Sequence, residues 1–200
     1  MRSSKENIQN EVDKISQKGK SNLVNENAAL LVIDVQQGLF KKSTPIYRPH
    51  ELLENINLLV ERAHAVAAPV VYVQHSAAKQ LVKGSPDWQL HPDLRPLRLD
   101  FIVHKEHGNA FIATPLQDIL QARGVQSVVI CGLVTHGCVR ATCLGALELG
   151  YRVLLAGDAH SSYSKDAARL VEEWNQKLAG LGVAVKSSGE IEFAEPHESL

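Results

Sequence analysis

Three residues of complementary chemistry, Asp34, Lys105 and Cys138, each follow a short apolar run, in ALLVID, DFIVHK and SVVICGLVTHGC. A carboxylate can take a thiol proton, a thiolate can attack a carbonyl, and an ammonium can offset the anions that form. Together they make an acyl-transfer device. The segment Gly132-Leu133-Val134-Thr135-His136-Gly137-Cys138-Val139 passes from a strand pattern to a helix pattern through two glycines. A thiol at a helix N-terminus feels the positive end of the dipole, which lowers its pKa below the free value of about 8.5. The exposed amides of the same turn can hold an oxyanion. Each residue also has a plainer reading. Asp34 suits a turn cap, Lys105 a solvated surface lysine and Cys138 a small packing residue.

What brings the three together is the order of the elements. Ala29–Val35 is a continuous apolar run ended by an acid, the pattern of a buried parallel strand. Pro49 opens a helix through Ala67, with Leu52, Ile56, Leu59 and Ala63 on one face. Val70–Gln74 is a second strand and Phe101–His104 a third, with residues 76–99 between them as a long loop. A helix over Thr114–Ala122 takes Thr114 as N-cap and Pro115 as its first residue. Ser127–Cys131, Arg152–Ala156 and Val183–Val185 complete six strands. Helices over Gly137–Leu149, stopped by Gly150, and over Lys165–Leu178 separate them. Strands alternating with helices imply right-handed parallel crossovers, hence an α/β fold with a doubly wound, mostly parallel six-stranded sheet and helices on both faces. Ligands of such sheets bind at the carboxyl ends of the strands, where Asp34, Lys105 and Cys138 all fall.

The rest of the 200 residues narrows the setting. Residues 1–27 read as a polar tail or arm, with Ile8, Val12 and Ile15 at helical spacing, and 28–200 as a single domain. Lys plus Arg number 21 and Asp plus Glu 22, so no net field draws nucleic acid or anionic lipid. No apolar run is long enough to span a bilayer. Three clustered cysteines and a polar segment over Met1–Lys20 argue against a disulfide framework and against export, so a reducing cytoplasm is expected. Cys131 and Cys143 read as buried small hydrophobes. Phe40 suits an apolar pocket wall or the core. His75, closing the second strand, suits pocket lining or a structural hydrogen bond, and Trp88 a lid or the edge of the core. Asp158 reads as a turn cap.

The runs LLVIDVQQGLF, VVYVQHS, DFIVHKEHGNAF and VVICGLVTHGCVRATCLGALELGY resemble the isochorismatase-like hydrolases, the superfamily that includes nicotinamidase and N-carbamoylsarcosine amidohydrolase. The likeness covers residues 29 to about 168, in order. It places the family's catalytic acid, lysine and nucleophile on Asp34, Lys105 and Cys138. It also implies strand order 3-2-1-4-5-6, a homodimer or higher homo-oligomer, and a cis Leu133–Val134 peptide, with the N–H groups of Val134 and Cys138 as the oxyanion hole. Isochorismatases proper cleave a vinyl ether and lack the cysteine, so the resemblance implies hydrolysis of a C–N bond in a small amide, ureide or carbamoyl compound. Nicotinamidases carry an Asp-x-His metal motif; here only His75 and His91 stand in that region, so no metal and no cofactor are expected. Asn109 stands where many relatives have serine. A nicotinamidase-type deamidase, or a non-catalytic interaction protein of the same fold, is the alternative.

Overall fold

A computed structural model describes residues 23–24 and 27–194, and the helical spacing of Ile8, Val12 and Ile15 lies outside them. The strands are β1 (Leu23–Val24), β2 (Ala28–Ile33), β3 (Val70–His75), β4 (Phe101–Lys105), β5 (Ser127–Leu133), β6 (Arg152–Ser161), β7 (Ala184–Lys186) and β8 (Glu192–Phe193). The α-helices are α1 (Gln37–Phe40), α2 (Pro49–Ala65), α3 (Leu116–Gln121), α4 (Arg140–Glu148) and α5 (Ala167–Gly180). Six strands form one parallel sheet in the order β4-β3-β2-β5-β6-β7, which is the expected 3-2-1-4-5-6. β1 and β8 pair separately, so Leu23–Val24, within the segment read as a tail, lies along Glu192–Phe193.

Every residue of β2 is buried, because helices cover both faces of the sheet. Leu30 and Val32 join Tyr72, Val129 and Cys131 in a core closed by Leu52, Ile56, Leu59 and Ala63 of α2. Ala29, Leu31 and Ile33 join Val71, Val73 and Ile130 in a second core with Leu116 and Leu120 of α3, Cys143 and Ala146 of α4, and Leu178 of α5. Each fully buried Leu or Ile contributes about 1.5–3 kcal/mol, so the period-two alternation of these strands is what holds their register. Among the described residues no helix is long and apolar enough to cross a membrane.

The sheet edge that matters is its carboxyl end. β2 pairs with β3 on one side and β5 on the other, and Ile33 lies opposite both Val73 and Gly132. The chain reverses its winding between β2 and β5, which opens a crevice there. Gly132 makes that closeness possible. Its φ is +113°, and a Cβ on it would lie 2.1 Å from the Ile33 carbonyl oxygen. β6 outruns its expected length, continuing past an irregularity to set His160 opposite Gly132 and Ser161 opposite Leu133.

Two helix starts differ from expectation. α4 starts at Arg140, because residues Thr135–Val139 form a wider π-helical turn in which Gly137 has non-helical backbone angles. Cys138 therefore sits inside that turn rather than in the first turn of a regular helix. α3 begins at Leu116 with Pro115 in the cap position, although the Thr114 hydroxyl still accepts from the Leu116 N–H at 3.2 Å. Residues 76–99 hold only the 3₁₀ turn Pro86–Trp88 and a bridge from Leu90 to Gln36.

Gly132→Ala is expected to destabilise the fold by more than about 4 kcal/mol, because both the backbone angle and the contact with Ile33 exclude a methyl group. Urea unfolding reads this directly. A loss under about 1 kcal/mol would mean that β5 shifts freely at that point.

Candidate active site

Asp34 is the first residue beyond β2, with φ of 51°, a left-handed bend that aspartate tolerates better than most residues. Its N–H still donates to the Val73 carbonyl at 2.9 Å, so the bend is anchored to β3. Lys105 is the last residue of β4 and pairs with His75, the last of β3. Its side chain is fully buried, and its ammonium has three acceptors: Asp34 Oδ2 at 2.8 Å, His75 Nδ1 at 3.2 Å and the His107 carbonyl at 3.1 Å. An ammonium offers three donors, and all three are used. Because Lys105 donates to Nδ1, the His75 ring carries its hydrogen on Nε2.

Cys138 completes the cluster. Its sulfur, a carboxylate oxygen of Asp34 and a ring nitrogen of His75 lie within 4.8 Å of one another. Asp34 Oδ1 is buried and has no hydrogen-bond partner among the described residues. A carboxylate with one oxygen held by a cation and the other bare beside a thiol is arranged to accept a proton.

The electrostatics correct one expectation. The Cys138 thiol is not acidified; it is pushed up to about 12, first by burial and then by the negative charge of Asp34, against which Lys105 pulls down. Burial likewise raises Asp34, opposed by the charge and hydrogen bond of Lys105. Moving the thiol proton to Asp34 leaves the net charge of the cluster unchanged, so neither group has to ionise alone in a dry site. His75 is lowered, first by burial and next by Lys105, and stays a neutral imidazole. Asp34, His75 and Cys138 could together ligate a soft cation, yet the Lys105 ammonium already occupies two of those ligands.

The remaining expected site residues fall into different places. Trp88 is buried in the α2-side core, with its indole N–H on Ser76 Oγ at 3.0 Å and its ring edge-on to His104 at 4.8 Å. It anchors the 76–99 loop. Phe40 is half-buried on α1, packed on the same core, and tilted against His91 at 4.3 Å. Of the three candidate binding residues, His75 is bonded to the triad through Lys105. Asp158 lies within β6 rather than at a local turn, and accepts from the N–H and hydroxyl of Ser188, at the start of the 3₁₀ turn Ser188–Glu190, at 2.6 and 2.9 Å. The Leu133–Val134 peptide is cis.

One residue that the sequence reading passed over holds the site's floor. Gln36, fully buried, donates to the carbonyls of His75 and Trp88 at 3.0 and 2.7 Å, and its Oε1 accepts from the His75 N–H at 2.9 Å. Its amide continues the ladder between β2 and β3 where the backbone of Asp34 has turned away. The only sequence signal was a polar residue in an apolar run, two positions past the acid.

Residues 28–175 match the Isochorismatase domain. The chain is 36% identical over 142 residues to a streptothricin hydrolase of Streptomyces noursei, covering 70% of this chain and 51% of that protein. It thus spans about half the length of the streptothricin hydrolases it matches, 51% of one and 56% of another. A maleamate amidohydrolase of Pseudomonas putida is 28% identical over 156 residues, covering 66% of this chain and 73% of its own. A crystal structure of an isochorismatase family protein superposes with a TM-score of 0.77 at 33% identity, over 80% of this chain and 98% of that one.

The charge coupling has a signed consequence. Replacing Asp34 by Asn removes the carboxylate that raises the thiol and leaves Lys105, so Cys138 ionises at lower pH. The pH profile of iodoacetamide alkylation at Cys138, read by mass spectrometry, is expected to move downward in Asp34→Asn. A profile that moves upward would mean that Asp34 does not act on the thiol through its charge.

Proposed function

The chain belongs to the isochorismatase family, and we propose that it is a cysteine-dependent hydrolase that cleaves a C–N bond of a small amide, ureide or carbamoyl compound through a thioester on Cys138. The observation that carries this reading is the Asp34–Lys105 pair: one carboxylate oxygen held by a buried ammonium, the other bare beside a thiol. The amidohydrolase among the relatives favours a C–N bond as the target.

The reaction runs in two halves. Asp34 takes the Cys138 proton as the sulfur adds to the carbonyl carbon, and the carbonyl oxygen gains negative charge. The N–H groups of Val134 and Cys138 receive that oxyanion, each donor being worth roughly 2.7–4 kcal/mol in sites of this kind. The C–N bond then breaks, and Asp34 returns its proton to the departing nitrogen. A water molecule, deprotonated by the same carboxylate, adds to the thioester carbonyl; the C–S bond breaks, and the proton goes back to sulfur. Lys105 acts throughout as a fixed positive charge. His75, donor at Nε2, suits an acceptor oxygen of the substrate, such as a carboxylate or a second carbonyl. Phe40, against His91, and Trp88, on Ser76, hold the 76–99 loop. No cofactor takes part.

A panel of small amides, ureides and carbamoyl compounds, scored by ammonia release, tests this. Wild type is expected to turn over at least one of them, equally well after exhaustive chelation, and Cys138→Ser none, because a serine hydroxyl is far less acidic than a thiol. Cys131→Ser and Cys143→Ser keep activity, since both sulfurs lie in the cores. Turnover in Cys138→Ser, or its loss on chelation with recovery on adding zinc, would overturn the proposal.

A further inference from the structure

Behind the turn that carries Cys138 runs a chain of polar side chains that the acyl-transfer steps do not use. Thr135, the first residue of the π turn, is fully buried, and its Oγ1 lies 2.9 Å from Nδ1 of His160 on β6. His160 is also buried, and its Nε2 lies 2.8 Å from Oδ1 of Asn175 on α5. Asn175 Nδ2 in turn donates to the Gly157 carbonyl at 3.0 Å.

The direction of each bond follows from the last one. With Nδ2 committed to Gly157, the amide of Asn175 presents its oxygen to His160, which therefore carries its hydrogen on Nε2. Nδ1 is left as an acceptor, so the Thr135 hydroxyl donates. Burial lowers the His160 pKa and keeps the ring neutral, in agreement with that assignment. Two buried polar side chains, tied to a half-buried third, are an expensive way to fill space, since apolar residues of similar volume would satisfy the core without any need for matched partners. What the chain does provide is a fixed position for Thr135. That residue lies between Val134 and Cys138, and its own carbonyl accepts from the Arg140 N–H while the Val134 carbonyl accepts from Gly137 at 2.9 Å and Val139 at 3.3 Å. Backbone bonds thus shape the turn from within, and the relay ties it to the sheet and to α5 from outside.

We infer that Thr135 and His160 are positioning residues for the oxyanion hole, with the Asn175–His160–Thr135 relay holding the amides of Val134 and Cys138 where the tetrahedral oxygen forms. The inference rests on the reading of Cys138 as an acylated nucleophile. A relay that merely stabilises the fold affects every reaction of Cys138 alike. A relay that places the amides affects only those that build an oxyanion.

Two reactions of the same sulfur separate these cases. Acylation by p-nitrophenyl acetate forms the S–C bond through a tetrahedral oxyanion, sends the thiol proton to Asp34 and expels p-nitrophenolate. Alkylation by iodoacetamide forms an S–C bond and expels iodide without adding to a carbonyl. In Thr135→Val the acylation rate is expected to fall roughly 10- to 100-fold while alkylation stays within about 2-fold of wild type. Thr135→Ser, which keeps the hydroxyl, recovers most of the lost acylation. Should Thr135→Val fail to fold, the same ratio of rates is read in His160→Ala. Equal losses in both reactions, or undiminished acylation, would overturn the inference. Acylation that survives in Cys138→Ser would instead overturn the nucleophile reading on which it rests.

Discussion

A lysine ammonium without solvent contact is costly unless every one of its donors is met, and at Lys105 each one is. That single requirement organises the site. It fixes the end of β4 against the end of β3, holds His75 in one tautomer, and commits one oxygen of Asp34 while leaving the other bare. Breaking such a pair typically costs about 3–5 kcal/mol, because the partner is left as an uncompensated buried charge. The pair is thus both a structural demand and the source of the base's asymmetry. The thiol beside it is raised rather than acidified, which turns proton transfer between Cys138 and Asp34 into the gate of the chemistry.

Around that pair the sheet supplies closeness. Gly132 lets β5 approach Ile33 at a distance no side chain permits, so the turn after β5 rises directly beside the bend after β2. Gln36 repairs the ladder where that bend has broken it, and its bonds to His75 and Trp88 carry the loop of residues 76–99 along. The site is therefore held at three strand ends by hydrogen bonds of unlike origin: an ammonium, a side-chain amide and the backbone of a π turn.

How much of this the sequence announces depends on how local each feature is. The six central strands were legible as apolar runs, and Asp34, Lys105 and Cys138 as chemistry at their ends, because period and position along one strand carry that information. The π turn was not. It differs from a regular helix start by one hydrogen-bond step, and only the non-helical angles of Gly137 betray it. The direction of the Cys138 shift was misjudged for the same reason: a dipole argument from the segment alone omits the burial and the carboxylate that a distant strand brings. Gln36 and His160 act on partners 39, 52, 25 and 15 positions away, and no pattern within a window of the chain reports such pairings. Trp88 and Phe40 were read as pocket or core edge, and the structure packs both against the core on the α2 side.

The most direct test of the Lys105–Asp34 pair is infrared spectroscopy of the carboxyl stretch at neutral pH in wild type, in Lys105→Met, and in Lys105→Met combined with Asp34→Asn. For Asp34 to act as the base, its ammonium must keep it ionised against the burial that raises it; with methionine there the buried carboxylate has no counter-charge and takes up a proton. The expected result is a protonated-carboxyl band that appears in Lys105→Met and is missing from both wild type and the double variant. A band already present in wild type, or a carboxylate that stays ionised without Lys105, would contradict the account.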